Sequence, residues 1–330
     1  MREITYTAAI RECLAQEMKN DDKVFMLGED IGLYGGAFGV TSGLTAELGD
    51  EKIMDTPISE QAIAGVAIGA SLLGMRPIAE IMFSDFMMLT LDQIANQAAK
   101  LRYMLGGKAK VPIVVRTPGG GGMGLAAQHS QSIESIFLTF AGLKIVMPST
   151  PYDAKGLLSS AIKDDNPVLF FEHKLLYQTK GDVPEDSYRI PLGVGDIKKE
   201  GSDITVVATS FMVNKALKAA DKLLSEGISM EVIDPRTIKP LDIELIINSI
   251  KKTNRAVLVE EACYSGGFTC YLASEIIKYA FDYLDAPILR VTGLDCPIPY
   301  ERGLENAVIP DEDKIEKAVR EILGRIKKTV

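Results

Sequence analysis

Val24-Phe25-Met26-Leu27, running into Gly28-Glu29-Asp30, is the stretch whose reading decides the fold. Four apolar residues bounded by turn signals are too few for a helix, and they read as a strand buried on both faces. The acidic tail is then the loop at the strand's carboxyl end. Upstream, Thr7 to Lys19 places Ala9, Ile10, Cys13, Leu14 and Met18 at the spacing of an amphipathic helix. The alternation repeats downstream. Pro77 to Phe83, Val111 to Val115, Leu143 to Met147 and Val168 to Phe171 read as strands. Asp92 to Leu105 reads as a helix stopped by Gly106-Gly107, and Ser149-Thr150-Pro151 as a capped helix start. Apolar strands alternating with helices imply a doubly wound parallel sheet, α/β in class, with ligands bound beyond the carboxyl ends of the strands.

From His173 to Ser202 the periodicity fails and Pro, Gly, Lys and Asp accumulate, which predicts an interdomain linker over 176–202. A first domain then covers 1–175 and a second, smaller α/β domain 203–330. In the second, Ile204 to Ala208, Met230 to Ile233, Ala256 to Glu260 and Ile288 to Val291 read as strands. Helices are expected near Val213–Leu224, Asp242–Lys251, Phe268–Ala280 and Lys314–Arg325. The 330 residues suit two domains.

Composition narrows the function by exclusion. Lys and Arg number 36 against 45 Asp and Glu, a net charge of −9, which argues against a general nucleic-acid binder. The most apolar stretch, Gln61 to Leu73, is about 13 residues, short of the roughly 20 a membrane span needs. The N-terminus carries no secretory signal pattern, so the expectation is a soluble, cytoplasmic protein. Two histidines exclude a histidine-rich metal site, and Cys13, Cys263, Cys270 and Cys296, with no CxxC pair, read as buried reduced thiols.

Four features could carry chemistry. Ser59-Glu60 precedes Gln61-Ala62-Ile63-Ala64-Gly65-Val66-Ala67-Ile68-Gly69-Ala70, with Ser59 a candidate N-cap. Glu60 has a purely structural reading as a first-turn carboxylate favoured by the helix dipole. However, a helix apolar all round is expected to be buried, and two glycines four apart suggest close approach of another backbone. Glu60 would then be a carboxylate at the mouth of a buried interface. Thr117-Pro118-Gly119-Gly120-Gly121-Gly122 resembles a phosphate loop but lacks the Gly-Lys-Ser/Thr that would follow, and reads better as a tight turn. His129 opens a predicted helix, His129 to Phe137, at the sheet's carboxyl edge; a structural role competes with a functional one there. Phe83-Ser84-Asp85-Phe86 ends a strand with two aromatics, for which core packing is the competing reading.

Together these segments resemble the beta subunits of the thiamine-diphosphate-dependent first component of 2-oxo acid dehydrogenase complexes. The likeness runs in order through Leu27-Gly28-Glu29-Asp30, Gly35 to Thr41, Asp55 to Glu60, Asp92-Gln93-Ile94, Gln128 to Ser132, Tyr152 to Leu157, Gly201 to Thr205 and Val232-Ile233-Asp234. It implies a transketolase-like pyrimidine-binding domain followed by a transketolase C-terminal-like domain. It also implies that Glu60 is the catalytic glutamate that hydrogen-bonds the cofactor's pyrimidine nitrogen, and that Phe86 packs on that ring. Further cofactor contacts are implied at Glu29, Ile58 and Met82. His129 matches the histidine placed near substrate and the incoming lipoyl group. Family members hold a structural potassium ion at positions matching Ile113, Ala161, Asp164 and Asn166, two of them through backbone carbonyls; ordinary turn chemistry accounts for Asp164-Asp165-Asn166-Pro167 equally well.

Enzymes of this chemistry bind Mg2+ and the diphosphate through a Gly-Asp-Gly motif, and this sequence contains none. The resemblance therefore implies an alpha subunit that holds the Mg2+, an α2β2 heterotetramer, and a lipoyl-bearing dihydrolipoyl acyltransferase as acceptor. Gly35-Gly36-Ala37-Phe38-Gly39, Phe86 to Gln93 and Ala126-Ala127-Gln128-His129 look closest to acetoin dehydrogenase beta subunits. Pyruvate dehydrogenases share the Gln-His pair, whereas branched-chain enzymes usually place Tyr before the histidine. The competing readings are a non-catalytic binding or scaffold subunit, which would need no carboxylate at position 60, and a transketolase or deoxyxylulose-phosphate synthase fragment.

Overall fold

The computed structural model describes residues 1–326. They form two compact units: Met1–Gly120 with Phe137–Leu192, and Gly121–Ile136 with the chain from Gly193 onward.

In the first unit a strand β1 (Arg2–Thr5) leads into α1 (Tyr6–Asn20), capped by the Thr5 side chain accepting from the Ala8 N–H at 3.1 Å. Then follow β2 (Val24–Gly28), α2 (Leu44–Leu48), β3 (Ile53–Asp55), α3 (Glu60–Leu72), β4 (Arg76–Glu80), α4 (Ala99–Met104), β5 (Val114–Gly119), β6 (Lys144–Val146), α5 (Pro151–Lys163), β7 (Val168–His173) and β8 (Lys180–Val183). Six strands lie side by side in the order β6-β7-β5-β4-β2-β3, every neighbouring pair parallel. Thr150 caps α5 as expected, accepting from the Asp153 N–H with Pro151 in the first turn.

Several expectations need correction. The helix expected over 92–105 forms, but its first part is a wide π turn at Gln93–Ala98 that runs without a break into α4. The loop expected from Thr117 begins later, because Thr117, Pro118 and Gly119 pair with Phe171, Glu172 and His173 of β7. Proline is tolerated there because β4 pairs with β5 only as far as Arg116, so Pro118 owes no N–H to that side. The 176–202 linker is not structureless. β8 pairs antiparallel with β1, and the division between units falls after Leu192. β1 and β8 hold Arg2, Glu3, Lys180 and Asp182, so they give no apolar signal. Finally, α3 is covered on one side only: Ile63, Ala64, Ala67 and Ile68 are buried, whereas Gly65, Val66 and Gly69 are exposed.

In the second unit β9 (Asp196–Lys199), β10 (Ile204–Ala208), α6 (Phe211–Leu224), β11 (Met230–Asp234), the short β12 (Thr237–Lys239), α7 (Ile243–Thr253), β13 (Ala256–Cys263), α8 (Phe268–Ala280), β14 (Leu289–Gly293), α9 (Arg302–Val308) and α10 (Glu312–Ile326) follow in order. The sheet runs β14-β13-β10-β11-β9, parallel except for β9. Both of its faces are covered. Ile204, Val206 and Ala208 share a core with α6 and α10, while Thr205 turns the other way to bond Ser249 and Thr253 of α7. The cysteines depart from expectation: Cys13 is buried, Cys263 and Cys270 are exposed and Cys296 is half-buried, all four free. No helix among the described residues is long and apolar enough to cross a membrane.

The first unit's sheet is braced by one cation. Arg116 on β5, 1% exposed, lies between Glu80 at the end of β4 and Glu172 on β7. Its Nε and Nη2 donate to the two Glu172 oxygens at 2.8 and 2.6 Å, and its Nη1 to Glu80. Burial pushes the Glu80 carboxyl above its ordinary range, Arg116 opposes this, and the like charge of Glu172 adds to it. Removing the cation would strand two buried carboxylates. Arg116→Met is expected to cost about 3–5 kcal/mol at pH 7 in chemical denaturation. The deficit should shrink toward pH 5, where the stranded acids protonate; a loss under about 1 kcal/mol would mean that water reaches the network.

Candidate active site

The carboxyl end of β2 places the first acid. Gly28 ends the strand, and a Cβ there would lie 2.9 Å from the Glu80 carbonyl oxygen, so only glycine lets β2 and β4 run this close. Glu29 follows and Glu60 opens α3; both are buried, each 7% exposed. Ser59 occupies the N-cap position, but its side chain makes no capping bond. Its backbone instead hydrogen-bonds the Glu29 carboxylate. The Glu29 carboxyl is raised above its ordinary range, first by burial and then by the charges of Glu60 and Asp30. One of its oxygens, Oε1, is buried with no hydrogen-bond partner. Two adjoining buried carboxyls with an unfilled acceptor ask for a donor or a shared proton, since a buried polar atom left unpaired is costly.

The first unit also holds an aromatic cluster. Phe38 meets Phe83 edge-on at 5.8 Å, and Phe83 meets Phe86 likewise at 5.9 Å. Phe38 also stacks on Tyr177 at 5.2 Å, and the Tyr177 hydroxyl donates to Glu172 at 2.7 Å. The aromatics are thus tied to the Arg116 network. Met82 and Phe86 are half-buried, and Ile58 is exposed. The first unit therefore brings Glu29 and Glu60 together and holds Phe86 through Phe83.

His129 belongs to the segment Gly121–Ile136, which groups with the second unit. It does not open a helix; it lies half-buried in a turn, its N–H directed to the Ala126 carbonyl, and the next helical turn is the 3-10 stretch Glu134–Thr139. The five polar residues from Gln128 to Ser132 leave no apolar repeat to carry a helix. Glu134 is pushed up to about 8 by burial and by the charges of Glu260 and Glu261. A cavity of about 580 Å³ opens on this segment, lined by Gln128, Ser132, Glu261, Cys263 and Cys296 among others.

The positions expected to hold potassium fall around one turn. The Asn166 N–H and Nδ2 both donate to Asp164 Oδ1, and the carbonyls of Ile113 and Ala161 each accept one backbone N–H. Lys144 pairs with Asp164, and Arg102 donates to Asn166 Oδ1 at 2.7 Å. Among the described residues no three His, Cys, Asp or Glu side chains converge as a metal cluster.

Arg116, Glu80 and Glu172 carried no expected role. Their only sequence signal is a charge inside an otherwise apolar strand (Val-Val-Arg, Ile-Ala-Glu, Phe-Phe-Glu), which is uncommon without a buried partner. His173, likewise unassigned, is buried at the end of β7, and a Cβ on Gly120 (φ +83°) would lie 2.1 Å from its Nε2.

Residues 2–180 match the family described as transketolase, pyrimidine binding domain, and residues 193–315 match transketolase, C-terminal domain. Among similar proteins, the 2-oxoisovalerate dehydrogenase subunit beta of Bacillus subtilis is 49% identical over 98% of this chain and 99% of its own length. The acetoin:2,6-dichlorophenolindophenol oxidoreductase subunit beta of the same organism is 47% identical over 98% of each chain. The pyruvate dehydrogenase E1 component subunit beta of Rickettsia felis is 47% identical over 97% and 98%. The chain belongs to the E1 beta subunits of 2-oxo acid dehydrogenases. A solved structure described as a split gene transketolase, inactive beta4 tetramer, shares the fold at TM-score 0.79 and 24% identity, covering 97% of this chain and 98% of that one. The transketolase-like two-domain architecture expected from the sequence is therefore the one observed. This E1 beta family is thiamine-diphosphate-dependent, and the three relatives above carry three different substrate names.

Proposed function

We propose that this E1 beta chain is half of an acetoin dehydrogenase, active only with an alpha subunit and passing a two-carbon acyl unit to a lipoyl group. The observation that carries the site assignment is the buried Glu29–Glu60 pair with an unfilled acceptor oxygen. A pyrimidine with its ring nitrogen and exocyclic amine is the kind of group that would fill it, so the residues fit the cofactor's pyrimidine end. Bound thiamine diphosphate supplies a nucleophilic carbon that also accepts the electrons of the cleaved bond. Glu60 would hold the proton at the pyrimidine nitrogen, with Glu29 beside it keeping the pocket's proton affinity high. Phe86, fixed by Phe83, would pack on the ring, with Met82 and Ile58 as further contacts. His129 would face the substrate and the incoming lipoyl group.

The diphosphate end calls for oxygen ligands around Mg2+. With no Gly-Asp-Gly in the sequence, we assign these ligands to the alpha subunit. The uncovered side of α3, with Gly65, Val66 and Gly69 exposed, supports a subunit contact in an α2β2 assembly. A potassium ion is assigned to the oxygens of Ile113, Ala161, Asp164 and Asn166, the two carbonyls each keeping a second lone pair. It predicts a higher thermal midpoint in potassium than in lithium at equal ionic strength; equal midpoints would remove it.

Acetoin is preferred on Gln128 before His129 and on the Gly35–Gly39 and Phe86–Gln93 stretches, while the three relatives differ by only two points of identity. The test is dye reduction by the chain assembled with a cognate alpha subunit, comparing acetoin, pyruvate and 2-oxoisovalerate. Acetoin is expected to lead in kcat/KM by about tenfold or more, the size of effect that a few pocket contacts supply. A lead for 2-oxoisovalerate or pyruvate would replace the substrate. Glu60→Gln should lower kcat by roughly 10²- to 10⁴-fold and leave the assembly intact. Undiminished turnover would favour the scaffold reading.

A further inference from the structure

The glycine loop resembles a phosphate loop without the residues that would complete one, and its conformation explains why. Gly122 (φ +91°), Gly124 (φ +69°) and Ala126 (φ +63°) are left-handed, each followed or preceded by a residue that is not. Alternation of this kind turns successive backbone N–H groups toward one point and makes a concavity that binds anions. The anion is already present in the chain. Glu305 of α9, 1% exposed, accepts from the Gly122 N–H at 2.7 Å through Oε1 and from the Gly124 N–H at 2.9 Å through Oε2. Glu261 at the end of β13 accepts from the Gly121 N–H at 2.5 Å and from Ser132 Oγ at 3.4 Å. Two carboxylates, from α9 and β13, thus bracket the run that carries His129.

We infer that Glu305 is a positioning residue, its carboxylate filling the backbone nest of Gly122–Gly124 and so fixing the turn that presents His129. The inference rests on the role given to His129 above. Both oxygens of a buried carboxylate are used on N–H groups two residues apart, which sets the loop's path as well as its end points, and charge-assisted bonds of this kind are roughly twice as strong as neutral ones. An amide in the same place keeps the shape but turns one acceptor into a donor aimed at an N–H.

The full-length chain and its assembly with an alpha subunit give separate readouts. In Glu305→Gln the amides of Gly122 and Gly124 should exchange with deuterium at least about tenfold faster, the thermal midpoint staying within a few degrees. In the assembled enzyme, kcat should fall about tenfold or more while KM for the substrate holds. Glu301→Gln, at the exposed cap of the same helix where the carboxylate accepts from the Gly303 and Leu304 N–H groups, should change neither. In Glu305→Ala, added formate should restore part of the loop's protection by refilling the nest. Unchanged exchange in Glu305→Gln, or faster exchange with an unchanged kcat, would overturn the inference. An inactive wild-type assembly would instead sink the functional reading, and the exchange data would still decide whether Glu305 holds the loop.

Discussion

A single guanidinium with a carboxylate on either side holds the first unit's sheet together where its strands end. Arg116 draws Glu80 and Glu172 to it from the neighbouring strands, and its charge opposes the burial that pushes the Glu80 carboxyl up. The consequences run outward. Glu172 takes a hydrogen bond from Tyr177, Tyr177 stacks on Phe38, Phe38 meets Phe83, and Phe83 meets Phe86. The aromatic cluster of Phe38, Phe83 and Phe86 is therefore tied through Tyr177 to a buried ion pair.

Much of this could be read from the sequence because parallel sheets write themselves plainly. Val24–Leu27 and Val168–Phe171 are unbroken apolar runs, and Ile204–Ala208 and Met230–Ile233 are interrupted only by Thr205 and Glu231; all four are buried and became strands within a residue or two. Glu60 stood out in the sequence as a carboxylate opening an apolar helix, and the structure buries it next to Glu29. The misreadings share a cause, which is long-range pairing without local pattern. β8 exists because β1, about 180 residues earlier, offers it an edge, and nothing in Lys180-Gly181-Asp182-Val183 announces that. Pro118 remains in its strand because its neighbour on one side has ended. The turn at His129 is held by Glu261 and Glu305, far along the chain, and no window around the histidine could reveal them.

The division of chemistry follows the same geometry. The acids and the aromatic wall lie at the carboxyl edge of the first unit, whereas the His129 segment is bonded into the second. Neither unit holds a cluster of acids suited to a divalent ion among the described residues. The chain has two adjoining buried carboxyls, a histidine in a turn, and a helix with one exposed side; the function proposed above takes these as one part of a site that an alpha subunit completes.

The claim that the chain is half of a thiamine-diphosphate site is tested most directly by titration calorimetry. Thiamine diphosphate with Mg2+ would be added to the chain alone and to the chain assembled with an alpha subunit. The account predicts binding in the assembly at one site per alpha–beta pair, and none measurable by the chain alone. Tight binding to the isolated chain would contradict it, because this sequence would then have to hold the diphosphate and its metal by itself.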